Sequence, residues 1–260
     1  MGRMALLVEY DGGRFHGWQR QVNAESVQEA LETALSRVAD SPVTVTASGR
    51  TDAGVHALGQ VVHFDPPVER PHRAWVQGAN AHLPAGAAVL EALAVPDGFH
   101  ARRDAVSRTY HYRILNRPAR PALESGRVAW VPRPLDGRAM ARAGAHLEGR
   151  RDFSAFRAAG CQAGSPVREV QRLHLDVRQE EIRVAVRADA FLYNMVRIMI
   201  GSLLEVGLGR QDPDWIAEVL AGCDRDRAGP TAPAGGLYLA AVHYPPGSGG
   251  PPPRPGLGEL

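Results

Sequence analysis

The chain has no lysine: all 30 of its basic residues are arginine. A guanidinium is planar, always charged, pairs with phosphate or carboxylate through two parallel hydrogen bonds and stacks on bases, whereas an ammonium acts as a point charge. The absence therefore reflects either a compositional bias of the source or a surface suited to a phosphate backbone. Against the arginines stand 28 acidic residues, and a formal net charge of +2 gives no nucleic-acid signal by itself.

Cysteine is also scarce. Cys161 and Cys223 are the only two, with no C-x-x-C and no histidine at ligand spacing, so neither a disulfide framework nor a zinc site is indicated. No apolar run reaches the ~18 residues of a membrane span, and the N-terminus lacks a leader pattern; the expectation is a cytoplasmic protein that needs no membrane. There is no G-x-x-x-x-G-K, no G-x-G-x-x-G after a strand, no H-E-x-x-H and no G-x-S-x-G. Nucleotide-driven, metal-dependent and serine-esterase chemistries are thus unsupported.

What is present is ample for folding: 260 residues, 44% of them hydrophobic, can build one large domain or two compact ones. MALLVEY (4–10) reads as a strand, and Ser26-x-x-Glu29 opens a helix with Val27, Ala30, Leu31, Ala34, Leu35 and Val38 at helical spacing. VTVTAS (43–48) and QVVHF (60–64) read as strands around a glycine-rich loop, followed by a helix over 73–81 and the strand 87–95. That order, β-α-β-β-α-β, is ferredoxin-like.

From Ser107 the order begins again. SRTYHYRIL is a strand, RVAWV an inserted one, Asp136 caps a helix, and strands follow over 167–177 and 182–188. A long helix FLYNMVRIMIGSLLEV, a short one from Asp214 and the strand LYLAAVHY complete the series. The expected fold class is α+β, two ferredoxin-like units with antiparallel sheets and an active-site cleft between them. The expected domains are 1–104, carrying the Asp loop, and 105–245. The segment 246–260, rich in proline and glycine, is expected to be a disordered tail.

Three constellations carry possible chemistry. Asp52 stands at the tip of ASGRTDAGVHALGQVVHF (47–64), where it is either an Asx-turn residue or the reacting carboxylate; Arg50 presents a cation toward the same opening, and Gly49 and Gly54 allow close backbone approach. Arg197 and Glu205 are the only charges on a helix apolar on most faces, two turns apart and unable to pair readily. Arg197 either makes a structural salt bridge with another acid or holds Asp52 ionised. Strand alternation puts Tyr110, Tyr112 and Ile114 on one face, so Tyr110 is a core residue or, beside Arg108 and Arg113, a surface on which an unstacked base lies. The scattered histidines, His56 and His63 among them, lack ligand spacing and read as structural hydrogen-bonders.

YDGGRFHGWQRQ (10–21), SVQEALETAL, GRTDAGVHALGQVVHF (49–64), SRTYHYRI, NMVRIMIGSLLEVG (194–207) and GLYLAAVHY (236–244) together resemble the tRNA pseudouridine synthase A (TruA) family, in family order from about Met4 to Pro245. The resemblance implies isomerisation of uridine to pseudouridine at positions 38, 39 and 40 of the tRNA anticodon stem-loop, by a homodimer that needs no metal or cofactor. It also implies that Asp52 is the catalytic aspartate, Arg50 the arginine beside the flipped nucleotide and Tyr110 the tyrosine under the target uracil. Arg197 is similar to the arginine paired with the aspartate, and Leu237 to the pocket leucine. The lysine-free surface and the Pro/Gly tail depart from the family pattern. Two alternatives stand beside this one. A non-catalytic RNA-binding module leaves Asp52 unexplained, and a carboxylate glycoside hydrolase usually needs a second acid across the bond, for which no matched block offers an obvious partner.

Overall fold

The computed structural model describes residues 2–258. It divides into two compact units: one runs up to Arg108 and resumes at Tyr238, and the other spans Thr109–Leu237. Both are mixed α/β with mostly antiparallel sheets.

In the first unit, β1 (Met4–Tyr10) is an apolar strand, and α1 (Val27–Ala39) follows with Ser26 Oγ accepting from Glu29 N at 3.3 Å as its cap. β2 (Thr46–Ala47), β3 (His56–Phe64), α2 (His72–His82) and β4 (Ala87–Ala94) complete the run. The strands lie in the order β4-β1-β3-β2, every neighbouring pair antiparallel. Leu31 and Leu35 of α1 and Trp75 of α2, with Leu6, Val62 and Phe64 of the sheet, are fully or almost fully buried. β2 is shorter than the alternation VTVTAS predicts. Val43 N donates to Ser36 Oγ and Val45 N to Glu32 Oε1, so these backbone donors are satisfied by side chains of α1 instead of by a strand ladder. Glu32, itself buried, is held there by Arg20 and Gln28.

The second unit contains β5 (Ser107–Asn116, from Thr109 onward), β6 (Ala129–Val131), α3 (Gly137–Ala145), β7 (Gly149–Asp152), β8 (Val167–Arg178), β9 (Glu181–Ala188), α4 (Met195–Gly207) and α5 (Trp215–Gly222). The strand order is β5-β9-β8-β7, with β6 parallel to β5. β7 was not legible in the sequence: GRRD is polar and fully exposed, an edge strand formed by pairing with β8. α4 begins four residues later than FLYNMVRIMIGSLLEV predicts, because Asn194 takes a left-handed φ of 58° and interrupts the helical path. Arginines serve this unit internally. Arg113 bridges Glu124 and Glu181, and Arg183 reaches the same Glu181, whose carboxyl falls to about 2 chiefly through its hydrogen bond from Arg183.

Two features bear on the expected boundaries of 105–245 and the tail. The closing strand is β10 (Leu237–His243). It pairs in parallel with β3, Tyr238 opposite His56 and Leu239 opposite Ala57, so residues from Tyr238 onward join the first unit, whose earlier stretch ends at Arg108 instead of 104. The tail expected to be disordered is seated on the first unit as far as residue 258. Pro251 is buried, Gly250 packs on the rings of Tyr244 and Phe99, and Arg254 Nη1 reaches Glu9 Oε2 at 3.2 Å and Leu58 O at 3.3 Å. Proline presets an extended backbone without an N–H to satisfy, and glycine permits close approach to rings, so the segment packs without forming a strand.

Candidate active site

The loop between β2 and β3 is short and tied at several residues on both sides of Asp52. Ser48 N donates to Val61 O at 2.8 Å, and Ser48 O accepts from Arg108 Nη2 at 2.9 Å. Gly49 O accepts from Gln60 Nε2 at 2.8 Å. Thr51 is buried, its carbonyl accepting from Trp18 N at 3.0 Å and its hydroxyl lying 2.8 Å from Tyr10 Oη. Asp52 O accepts from Val55 N at 3.1 Å, which closes the turn. Gly17, with a φ of +87°, comes so near that a Cβ there would meet Thr51 O at 2.8 Å and Asp52 C at 3.2 Å, so only glycine serves.

The outcome is a rigid pedestal with two differently placed charges on top. Asp52 is half-buried and Arg50 is exposed. Beneath the loop, His56 Nδ1 accepts from Gly12 N at 3.0 Å and the ring stacks on Tyr238 at 4.6 Å between centroids. With Asp11 Oδ1 3.2 Å from the same Nδ1, His56 is a brace for the YDGG turn, in keeping with its structural reading.

In the second unit, Tyr110 is half-buried and meets Phe191 edge-on, centroids 5.1 Å apart with an interplanar angle of 85°. Thr109, Tyr112 and Ile114 are all fully buried, so β5 is covered on both faces and the simple alternation does not separate core from surface. Arg197 donates through Nε to Ala232 O at 2.7 Å and through Nη1 to Asn194 Oδ1 at 2.9 Å. These are neutral acceptors within its own unit. Leu237 is buried at the start of β10. The preceding Gly236 lies against Tyr112, whose Cζ would be 2.7 Å from a Cβ, and Tyr112 Oη donates to Pro233 O at 2.8 Å, so Tyr112 braces the approach to Leu237.

Sequence reasoning missed the polar group under the loop: Tyr10, Ser48, Thr51 and Gln60, all nearly inaccessible. The available signal was a glutamine at the head of the apolar run QVVHF, since a buried amide persists only where its hydrogen bonds are met. Burial pushes the Tyr10 phenol up to about 12, partly offset by its hydrogen bonds with Thr51 and Gln60, so it stays protonated at any working pH. Among the described residues, no group of three or more His, Cys, Asp or Glu side chains is arranged to hold a metal ion.

The family model for tRNA pseudouridine synthase matches residues 6–104 and 143–245. The chain belongs to the tRNA pseudouridine synthase family. A tRNA pseudouridine synthase A of Thiobacillus denitrificans is 53% identical over 245 residues, 94% of each chain. Proteins of the same name from Polaromonas naphthalenivorans and Escherichia fergusonii are 49% and 50% identical, over 93% or more of this chain and 90% or more of theirs. This pseudouridine synthase is accordingly an isomerase acting on tRNA. Arg50 and Asp52 fall in the first matched segment, Arg197 and Leu237 in the second, and Tyr110 in the stretch between them.

Proposed function

We propose that this synthase converts uridine to pseudouridine at positions 38, 39 and 40 of the tRNA anticodon stem-loop, with Asp52 as the reacting carboxylate. The observation that carries the reading is the pedestal itself: a single aspartate at the tip of a loop whose backbone is fixed on both sides of it. A turn residue would not need that much support, whereas a nucleophile or base gains rate from being held in place.

The chemistry asks for little else. The N1–C1′ bond breaks, the uracil turns without leaving, and a C5–C1′ bond forms; C5 gives up a proton and N1 takes one, so atoms and electrons balance within the substrate. No redox partner or energy source is required, which fits an enzyme without a cofactor. The target base must leave its stack to be reached. Tyr110 then lies under the uracil, Arg50 contacts the flipped nucleotide, Leu237 lines its pocket, and Arg197 keeps Asp52 ionised. We read each unit as ferredoxin-like, a reading supported by the antiparallel β4-β1-β3-β2 order of the first. The enzyme works as a homodimer in the cytoplasm; a tRNA substrate supports that location, and no helix among the described residues is long and apolar enough to cross a membrane.

The direct test incubates purified protein with an unmodified tRNA transcript in the presence of a chelator and without nucleotide. Carbodiimide-dependent primer stops at positions 38–40 are expected. Stops elsewhere would overturn the site assignment, and no stops at all would overturn the cofactor-free reaction.

A further inference from the structure

Gln60 is wholly inaccessible in β3 and carries an amide whose orientation is unambiguous. Gly49 O can only accept, so Nε2 faces it at 2.8 Å, leaving Oε1 to accept from Ser48 Oγ at 2.6 Å. The second N–H of the same amide points to Tyr10 Oη at 3.4 Å. Tyr10 remains a phenol and shares a hydrogen bond with Thr51 Oγ1 at 2.8 Å, in which either hydroxyl can donate. Gln60, Tyr10 and Thr51 are thus linked in series beneath the loop. Two of the three residues preceding Asp52, Gly49 and Thr51, are gripped by one buried network. A buried network that is fully satisfied is rigid, and losing one member leaves its neighbours unpaired in a dry interior.

We propose that Tyr10, Thr51 and Gln60 are positioning residues for the reaction: they fix the backbone of the Arg50–Asp52 segment so that the carboxylate meets the nucleotide at a set distance. None of the three needs to touch the substrate. The proposal rests on Asp52 being the reacting group, and it adds that catalysis depends on a hydroxyl pair, Tyr10 with Thr51, below the site. Displacing a reacting group by about 1 Å can cost on the order of a hundredfold in rate, so losing this bond should slow chemistry without weakening tRNA binding.

The test measures single-turnover conversion of one tRNA transcript at saturating enzyme, tRNA affinity by filter binding, and thermal stability, for Thr51→Val, Tyr10→Phe, their double variant, Thr51→Ser and Asp52→Asn. Thr51→Val and Tyr10→Phe remove the same hydrogen bond from opposite ends. Each should lower the rate roughly ten- to a hundredfold at unchanged tRNA affinity. Tyr10→Phe also removes the Gln60 contact, so the double variant should be no slower than Tyr10→Phe, to which Thr51→Val adds no further loss of this bond. Thr51→Ser keeps the hydroxyl and should keep the rate. If Thr51→Val fails to fold, Tyr10→Phe decides. A parental rate in a folded Thr51→Val or Tyr10→Phe protein, with Asp52→Asn inactive, overturns the positioning role and leaves the catalytic reading standing. A loss of affinity as large as the loss of rate also overturns it. An active Asp52→Asn overturns both.

Discussion

Arg197 and Ala232 bond to each other twice: Arg197 O accepts from Ala232 N at 3.0 Å, and Arg197 Nε donates to Ala232 O at 2.7 Å. With Nη1 on Asn194 Oδ1, the guanidinium staples the first turn of α4 to the segment that leads into β10. Arg197→Met keeps the aliphatic stem but strands two acceptors, at ~1–3 kcal/mol, which for a chain of this size is a fall of a few degrees in melting temperature. Turnover should fall much further if Arg197 also keeps Asp52 ionised. Single-turnover rates taken well below the melting temperature separate the two effects; a parental rate would leave Arg197 with a structural role alone. Arg197→Lys should recover little, since one ammonium does not reproduce the planar fork.

Tyr110 gives a graded prediction. Tyr110→Phe retains the ring and its edge contact with Phe191, so folding should be unchanged and any loss of rate reports the hydroxyl. Tyr110→Ala removes the ring as well and should cost about 1–3 kcal/mol of base stacking, read as roughly ten- to a hundredfold weaker productive binding. Full activity in Tyr110→Ala would make the residue packing only.

For Asp52, asparagine keeps size and turn preference but is neutral. Pseudouridine formation should vanish in Asp52→Asn while tRNA affinity and melting temperature stay close to the parent. Asp52→Glu keeps the charge and moves it by one methylene, and a loss on the order of a hundredfold is expected. Both are measured on the same preparations by single turnover and filter binding; rescue of the rate by glutamate would mean that the pedestal does not set the distance.

Acid should weaken the fold through His63. Burial, with Arg3 and His100 nearby, holds its pKa down at about 4, and its Nδ1 accepts from Ala101 N at 3.1 Å. The unfolded chain binds this proton near pH 6.5 and the folded chain near 4, so the stability is present above 6.5 and is lost as pH falls through that window. One such group contributes a slope of at most ~1.4 kcal/mol per pH unit. Urea melts of the parent and of His63→Gln between pH 6.5 and 4.5 should differ in slope by about that amount. Parallel curves would show that His63 is not the group responsible.

The sequence by itself determined the elements whose residues interact locally. The apolar run of β1, the Ser26 cap of α1, the Asp136 cap of α3 and the Gly-rich loop around Asp52 are all dictated by neighbours a few positions apart. The motifs also marked Asp52, Arg50, Tyr110, Arg197 and Leu237 as the residues to watch. Only the tertiary structure decided matters that depend on distant partners. β2 shrank because Ser36 and Glu32 took its backbone donors, β10 found a parallel partner in β3, and the Pro/Gly tail found a seat on Tyr244, Phe99 and Glu9. The buried grip of Tyr10, Thr51 and Gln60 on the Asp52 loop belongs to the same class, because its members lie up to 50 positions apart and no local pattern says which hydroxyl a buried amide will meet. Local periodicity reports which face is apolar; it carries no information about which polar group will satisfy another across a core.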